Sequence, residues 1–163
     1  MALRIEDYAI VGDMQTAALV GRDGSVDWLC WPRFDSDACF AALLGSPDNG
    51  RWRIAPKLEP RRVTRRYRPG TLVLETEHEV EGGRVRVVDF MPPRHDVSDL
   101  VRVVEGVEGR VAMELDLRLR MDYGARRPWL RQHDSGERSS TASGPASAAT
   151  PLSSWRSHGR RAP

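Results

Sequence analysis

The sequence predicts an all-β, mainly antiparallel protein, a β-sandwich with one short helix and a disordered C-terminal tail. From Gly50 onward, apolar and polar residues alternate with a period of two, which is typical of strands with one buried and one solvated face. Glycine-containing turns separate the alternating stretches. Only residues 34–44 show helical spacing. Strands of this kind bury their apolar faces when two sheets pack together.

The first third of the chain contains three short strands and the predicted helix. The strands cover residues 8–13, 16–20 and 25–31, and the link at 21–24 supplies the glycines that a tight hairpin needs. The helix covers residues 34–44, with Asp35 or Ser36 as its cap and Gly45 at its end. Its apolar residues recur at helical spacing: Cys39, Phe40, Leu43 and Leu44.

The middle of the chain predicts further strands over residues 52–54, 72–80, 84–91, 100–104 and 110–121. The last of these has the clearest pattern, because its apolar residues all fall on one face: Val111, Met113, Leu115, Leu117, Leu119 and Met121. The turn at Gly82 and Gly83 joins two strands as a hairpin. We expect one sandwich domain over residues 1–131.

Residues 132–163 have a different composition. Ser, Ala, Gly and Pro dominate, and Leu152 and Trp155 are the only large apolar residues. Such a segment cannot bury enough surface to offset its chain entropy, so we expect disorder. A flexible functional tail and an out-of-frame reading of GC-rich DNA both explain this composition. The abrupt change after a well-patterned strand favours the second.

Composition sets limits on the function. The chain has 163 residues, 40% of them hydrophobic and 29% charged, which is ordinary for one soluble domain. A net charge of +2 and no apolar run of about 20 residues predict neither a nucleic-acid nor a membrane partner. No targeting segment is visible, so a cytoplasmic protein is expected. Cys30 and Cys39 fit a buried reduced pair better than a disulfide or metal site, and no cofactor is expected.

Aromatic and charged residues concentrate between residues 27 and 35. Aromatic rings stack on sugar faces and carboxylates accept hydroxyl protons, so this segment is the candidate for sugar contact. The candidate substrate-adjacent residues are Trp28, Trp31, Arg33 and Asp35, with Asp27 beside them. The alternative is structural, with the tryptophans in the core and Asp35 as a helix cap. This structural interpretation is favoured.

Other charged residues have simpler explanations. Glu75, Glu77 and Glu79 share one strand face, where we expect them to be solvated and paired with Arg84 or Arg86 across the hairpin. His78 points to the opposite face and is predicted to be a packed or edge histidine. The arginines at residues 61–68 predict a solvated face or an interdomain contact, since no phosphate-binding motif accompanies them.

Several spaced motifs resemble a known family. They are YAIVGD (8–13), TAALV (16–20), DGSVDWLC (23–30), PRFDS (32–36), FAALL (40–44), YRPGTLVLET (67–76), VVDFMPPR (87–94), DLVR (99–102) and MDYG (121–124). Together they resemble the N-terminal region of bacterial trehalase-like and glucoamylase-like proteins of glycoside hydrolase family 15. Met14 is a minor departure from the usual pattern.

This resemblance implies a supersandwich-like N-terminal domain followed by a catalytic (α/α)6 barrel that acts on an α-glucoside. In such enzymes the barrel supplies both carboxylates of an inverting mechanism. No residue here matches the barrel, so we expect no catalytic residue, an incomplete sandwich and no activity in this chain alone. The parent would hydrolyse trehalose or malto-oligosaccharides. The alternative is a stand-alone carbohydrate-binding or protein-interaction module.

Overall fold

The computed structural model describes residues 3–132, 138–141 and 152–155, and within them it confirms the mainly antiparallel β fold. Four short 3₁₀ turns cover Ile5–Asp7, Ala42–Leu44, Pro47–Asn49 and Asp122–Gly124. The strands are β1 (Tyr8–Gly12), β2 (Ala17–Gly21), β3 (Ser25–Cys30), β4 (Ala38–Phe40), β5 (Arg51–Pro56), β6 (Arg62–Tyr67), β7 (Leu74–Val80), β8 (Gly83–Phe90), β9 (Val101–Gly109), β10 (Met113–Arg118), β11 (Trp129–Gln132), β12 (Arg138–Thr141) and β13 (Leu152–Trp155).

Two sheets form the sandwich. The first has the strand order β1-β2-β3-β5-β10, with β4 added on β3, and the second has the order β6-β7-β8-β9. Every described pairing between these strands is antiparallel. The main apolar core contains Val11, Val20 and Leu29 from the first sheet and Leu74 from the second. The two sheets therefore share one interior.

Polar side chains also join the two sheets. Arg65 of β6 donates hydrogen bonds to the carbonyl oxygens of Asp7 and Val20, at 2.6 and 2.7 Å. The hydroxyl of Tyr67 bonds to the backbone of Ile10, donating to its carbonyl oxygen and accepting from its N–H at 2.9 Å. Because these bonds use backbone groups of β1, β2 and the turn before β1, they fix the position of β6 against the first sheet.

The predicted hairpin between β2 and β3 is confirmed. The N–H of Gly24 donates to the carbonyl oxygen of Gly21 at 3.0 Å, and Gly24 has a φ of +80°. A Cβ atom at Gly24 would lie 2.2 Å from the carbonyl oxygen of Ile54. Both the backbone angle and the close approach of β5 therefore require glycine here.

The predicted helix at residues 34–44 is wrong. Ala38–Phe40 forms strand β4 instead, where Ala38 pairs with Cys30 and Phe40 with Leu29 of β3, and Ala42–Leu44 forms a 3₁₀ turn. Residues 38–42 are all buried, whereas a surface helix buries only one face. Pairing with β3 therefore outweighs the helical spacing of the apolar residues. Gly45 still ends the turn, but Asp35 caps no helix.

The strand predicted at residues 110–121 is present as β10, but only some of its apolar residues pack into the core. Leu117, Leu119 and Met121 pack against the main core, whereas Leu115 is 52% exposed. Because β10 is the end strand of its sheet among the described strands, the second sheet does not cover all of it. The alternation of apolar and polar residues does not show how much of a strand the opposite sheet packs against.

The predicted domain boundary at residue 131 and the disorder predicted beyond it stay predictions. Most of residues 132–163 lie outside the described residues. The short strands β12 and β13 are described, and β12 pairs with both β11 and β13.

Cys30 and Cys39 are free and buried, as predicted. Burial raises the pKa of the Cys39 thiol to about 12 and also raises the pKa of Cys30. Because the thiolate is the reactive form, we expect neither cysteine to react with a chromogenic disulfide reagent at pH 8 until the protein is unfolded in urea. Release of chromophore by the native protein at a rate near that of free cysteine would contradict this. Cys39→Ser should leave the native trace unchanged and halve the signal in urea.

Candidate functional site

Three loops meet at one end of the sandwich: residues 13–16 between β1 and β2, residues 31–37 between β3 and β4, and residues 91–100 between β8 and β9. We call this region the loop end. The N–H of Phe34 donates to the carbonyl oxygen of Gln15 at 2.9 Å, which joins the first two loops. Arg94 in the third loop donates to the carbonyl oxygen of Pro32. The loop end includes most of the segment in which the sequence places its candidate residues.

A buried ion pair holds the loop end together. Nε of Arg94 lies 2.9 Å from Oδ2 of Asp13, and the two side chains are 11% and 0% exposed. The hydroxyl of Ser98 donates to the same carboxylate at 2.6 Å. Oδ1 of Asp13 accepts hydrogen bonds from the backbone N–H groups of Gln15 and Thr16, at 3.0 and 2.8 Å. One carboxylate thus fixes two loops at their base.

The pKa of Asp13 reflects this arrangement. Burial by itself would raise the pKa, but hydrogen bonds from Ser98, from the N–H groups of Thr16 and Gln15 and from Arg94 outweigh burial and hold it below its ordinary value. Asp13 therefore stays ionised at neutral pH. Its role is to anchor the loops, since every donor around it binds the charged form.

The outer surface of the loop end exposes apolar side chains beside charged ones. Met14 is 88% exposed and has a φ of 71°, a backbone angle that side chains other than glycine rarely adopt. Phe34 and Val97 are also exposed, at 61% and 48%. A strained residue and two further apolar side chains on anchored loops are typical of a surface that contacts something else.

The structure places three of the four candidate residues in the loop end. Trp31 is half-buried and packs against the main core. Its backbone N–H donates to the carbonyl oxygen of Asp37. Nε of Arg33 lies 2.9 Å from Oδ1 of Asp35, and both side chains are mostly exposed. The hydrogen bond from Arg33 lowers the pKa of Asp35.

Trp28 belongs to a different part of the sheet. It packs against Cys30, Ala38 and Ala41, and its ring centroid is 6.1 Å from that of Tyr123. The carboxylate of Asp27 is buried and accepts hydrogen bonds from the hydroxyls of Tyr8 and Ser25. The structure therefore does not bring the five residues between 27 and 35 together in one cluster.

The exposed pair of Arg33 and Asp35 should contribute little to stability. Solvent screens both charges and each side chain loses entropy when it is held, so Arg33→Met is expected to leave the free energy of unfolding nearly unchanged. Urea unfolding followed by tryptophan fluorescence measures this change. A loss of several kcal/mol would show that the pair is part of the folded framework.

The buried acids are each engaged by hydrogen-bond donors. Glu75 accepts hydrogen bonds from Arg68 and Arg66, which lower its pKa. Asp89 pairs with Arg102 at 2.7 Å. With Asp13 and Asp27, these are the buried acids of the described part of the chain. None of them is a free carboxyl in an open cleft.

The predicted pairing of the β7 glutamates is met in part. Glu77 contacts Arg84 and Arg86 across the hairpin, at 3.6 and 3.1 Å, as expected. Glu75 is buried and not solvated, and it pairs instead with Arg66 of β6 and with Arg68 just after that strand. His78 is buried on β7, which agrees with the predicted packed histidine.

Sequence reasoning missed the anchors Asp13, Arg94 and Ser98. The only local signal is the spacing of Asp13 and Thr16, which is typical of an Asp side chain that caps a turn. Arg94 and Asp13 are 81 residues apart, and a single sequence gives no indication of such a pairing. In the described residues no group of three or more His, Cys, Asp or Glu side chains could hold a metal ion. Nor does this part of the chain contain a helix long and apolar enough to cross a membrane.

Comparisons with known proteins agree with the resemblance seen in the motifs. The model of the family described as "Trehalase-like, N-terminal" matches residues 1–161. The chain is 33% identical to a trehalase of Mycolicibacterium smegmatis over 138 residues, which cover 73% of this chain and 20% of the relative. It is 29% identical to a trehalase of Thermoplasma volcanium over 140 residues, or 82% of this chain and 22% of the relative.

A further relative, Trehalase 1 of Sulfolobus acidocaldarius, is 30% identical over 135 residues, which cover 82% of this chain and 23% of the relative. The chain therefore spans about a fifth of the length of the curated relatives it matches. No solved structure matches it significantly.

Proposed function

Because the chain belongs to the trehalase-like N-terminal family, we propose that it is the non-catalytic β-sandwich part of a glycoside hydrolase family 15-like α-glucosidase. In this proposal the sandwich packs on a catalytic (α/α)6 barrel, which binds an α-glucoside such as trehalose or a malto-oligosaccharide. The inverting reaction needs one carboxylic acid to protonate the leaving oxygen and one carboxylate to activate water. Both would come from the barrel.

The state of the buried acids is the observation that carries this proposal. An inverting pair faces a cleft with its carboxyl groups about 6.5–9.5 Å apart, and the acid member has a raised pKa. Here Asp13 and Glu75 have lowered pKa values because donors bind their charged forms. Asp27 and Asp89 are bound by hydroxyls and by Arg102. Such carboxylates act as structural anchors and not as acid–base catalysts.

We further propose that the loop end is the surface that contacts the barrel and shapes the rim of its pocket. The exposed apolar side chains of Met14, Phe34 and Val97 support this, because a sandwich in water gains nothing from exposing them. The buried pair of Asp13 and Arg94 supports it too, since anchored loops bind without a large entropy cost. Trp31, Arg33 and Asp35 would then lie near the sugar.

A chimera tests the loop end. Residues 1–132 of this chain replace the corresponding region of the Mycolicibacterium smegmatis trehalase, and Phe34→Ser is then introduced. Loss of a buried phenylalanine contact should weaken the packing by about 1.5–3 kcal/mol, which would lower the melting temperature and the trehalase activity of the chimera. Leu58→Ser is the matched control, because Leu58 is similarly exposed but lies between β5 and β6. Equal effects of both variants would contradict this role of the loop end.

A carbohydrate-binding module is the second candidate, and the ring pair of Trp28 and Tyr123 favours it. Tyr123 is 45% exposed and lies beside half-buried Trp28, an arrangement on which a sugar ring could stack. Titration of the purified chain with trehalose and maltotriose, followed by tryptophan fluorescence, distinguishes the two. Saturable binding that Tyr123→Ala abolishes would favour the module over the supporting domain.

The cellular setting is part of the same proposal. We place the protein in the cytoplasm, without nucleic-acid or membrane partners. Two free buried cysteines are compatible with a reducing compartment. Arg66 and Arg68, which belong to the most basic stretch of sequence, are paired with Glu75 and so are not arranged for phosphate binding.

A further inference from the structure

The interior side of the second sheet is unusually polar. Thr76, His78 and Asp89 are no more than 2% exposed, and they lie on β7 and β8 of that sheet. Arg65 on β6 pairs with Thr76 across the strands, and Arg102 on β9 pairs with Asp89. We call these five residues the polar layer. Hydrophobic residues would fill this position in most sandwiches.

The two arginines of the polar layer make most of its hydrogen bonds. Arg102 donates to Asp89 and to the carbonyl oxygens of Trp52 and Gly24. The terminal nitrogens of Arg65 donate to two backbone carbonyl oxygens of the first sheet. These bonds stabilise the buried side chain of Arg102 and the half-buried side chain of Arg65.

Several buried polar atoms in this layer and next to it have no hydrogen-bond partner among the described residues. Among the described residues, neither ring nitrogen of His78 makes a hydrogen bond, and neither does the hydroxyl of Thr76. Nε of Arg65 and Nε1 of Trp52 are in the same situation. An unpaired buried polar atom costs about 1–3 kcal/mol. Five such atoms together would cost a large part of the 5–15 kcal/mol by which a domain is typically stable.

The chemistry of Thr76 and His78 matches water. Neutral imidazole offers one N–H donor and one acceptor nitrogen, and the threonine hydroxyl can donate or accept. The two residues are next-but-one neighbours on β7, so their Cα atoms are about 7 Å apart and their side chains lie on one face. A water molecule that is about 2.8 Å from each polar atom can bridge such a pair. Buried waters typically bind otherwise unsatisfied groups of this kind.

We propose that the sandwich binds an ordered internal water molecule between the hydroxyl of Thr76 and the imidazole of His78. This water is a structural ligand of the domain. It gives the hydroxyl of Thr76 and one ring nitrogen of His78 a hydrogen-bond partner in the interior. The site is separate from the loop end and does not depend on the proposed function.

Oxygen-17 relaxation dispersion of the full chain tests the site, because it counts water molecules that stay bound for longer than the protein takes to tumble. Thr76→Val removes the hydroxyl at nearly constant volume. We expect the dispersion amplitude to fall by one long-lived water relative to the wild type. Thr64→Val, at an exposed position on β6, is the matched control and should leave the amplitude unchanged.

Two measurements on the wild type and the variant complete the test. In nitrogen-15 spectra, the ring N–H of His78 should show a cross-peak with water, and its absence would overturn the proposal. An unchanged dispersion amplitude in Thr76→Val would also overturn it. So would a rise in the urea midpoint of Thr76→Val, because that rise means the hydroxyl is truly unpaired. A midpoint that depends on chloride in the wild type but not in Thr76→Val would assign the site to an anion instead of water.

Discussion

Replacing Arg102 by methionine is expected to lower the free energy of unfolding by about 3–5 kcal/mol. Nε of Arg102 lies 2.7 Å from Asp89, and the two side chains are 0% and 1% exposed. The guanidinium also donates to the carbonyl oxygen of Trp52 at 2.6 Å and to that of Gly24 at 2.9 Å. The variant therefore leaves an unpaired buried carboxylate and breaks a connection between the two sheets. Urea unfolding at pH 7, followed by tryptophan fluorescence, measures the loss.

Two further variants test whether the loss comes from the buried pair of Arg102 and Asp89. Arg84→Met removes a half-exposed arginine that pairs with Glu108, so it should cost less than about 1 kcal/mol. In the double variant Arg102→Met with Asp89→Asn, the buried charge is also removed, so the total loss should be smaller than the sum of the single losses. If Arg102→Met were as mild as Arg84→Met, the buried pair would not hold the sheets together.

Acidification from pH 6.5 to pH 4 is expected to lower the stability by roughly 3 kcal/mol through His78 alone. Burial lowers the pKa of His78 to about 4, and the charge of Arg53 and that of Arg65 act in the same direction, against Asp89. The ordinary pKa in the unfolded chain is about 6.5. Above that value both states are neutral and stability does not change. Below it the unfolded state binds a proton that the folded state does not, so stability falls until the pH reaches about 4.

This pH range separates His78 from the carboxylates. Asp13 and Glu75 have lowered pKa values, so their contribution to stability is lost only below the ordinary carboxyl range, near pH 4. Urea midpoints between pH 7.5 and 4.5 should therefore fall in the wild type. They should fall as steeply in His95→Gln, whose histidine is exposed, and much less in His78→Phe. An equally steep fall in His78→Phe would show that another group titrates.

Alternation along single strands predicted much of the fold. Thr76, His78 and Val80 are buried on β7 as their spacing indicates, and the turn around Gly24 forms where the glycines require it. The helical spacing of residues 34–44 failed because pairing between Phe40 and Leu29 decides the local structure. Leu115 fits the apolar pattern of β10, but its burial depends on how far the second sheet extends.

The candidate site was harder to predict because it depends on contacts between residues that are far apart in the sequence. Trp31, Arg33 and Asp35 are near one another in sequence, so their shared place in the loop end could be expected. The anchors Asp13 and Arg94 are 81 residues apart in the sequence, and only folding brings them together. The motif-bearing segments 8–13 and 87–94 contain those two anchors, but neither motif by itself indicates that they pair.

Glucose release is the most direct test of the account, which assigns support and not catalysis to this domain. The purified full chain and the chimera that carries residues 1–132 are each given trehalose and maltotriose, and glucose is measured with a coupled enzyme assay. We expect the chain alone to release no glucose above the buffer control, while the chimera hydrolyses trehalose. Sustained glucose release by the chain alone, at a rate proportional to its concentration, would show that this domain is itself catalytic.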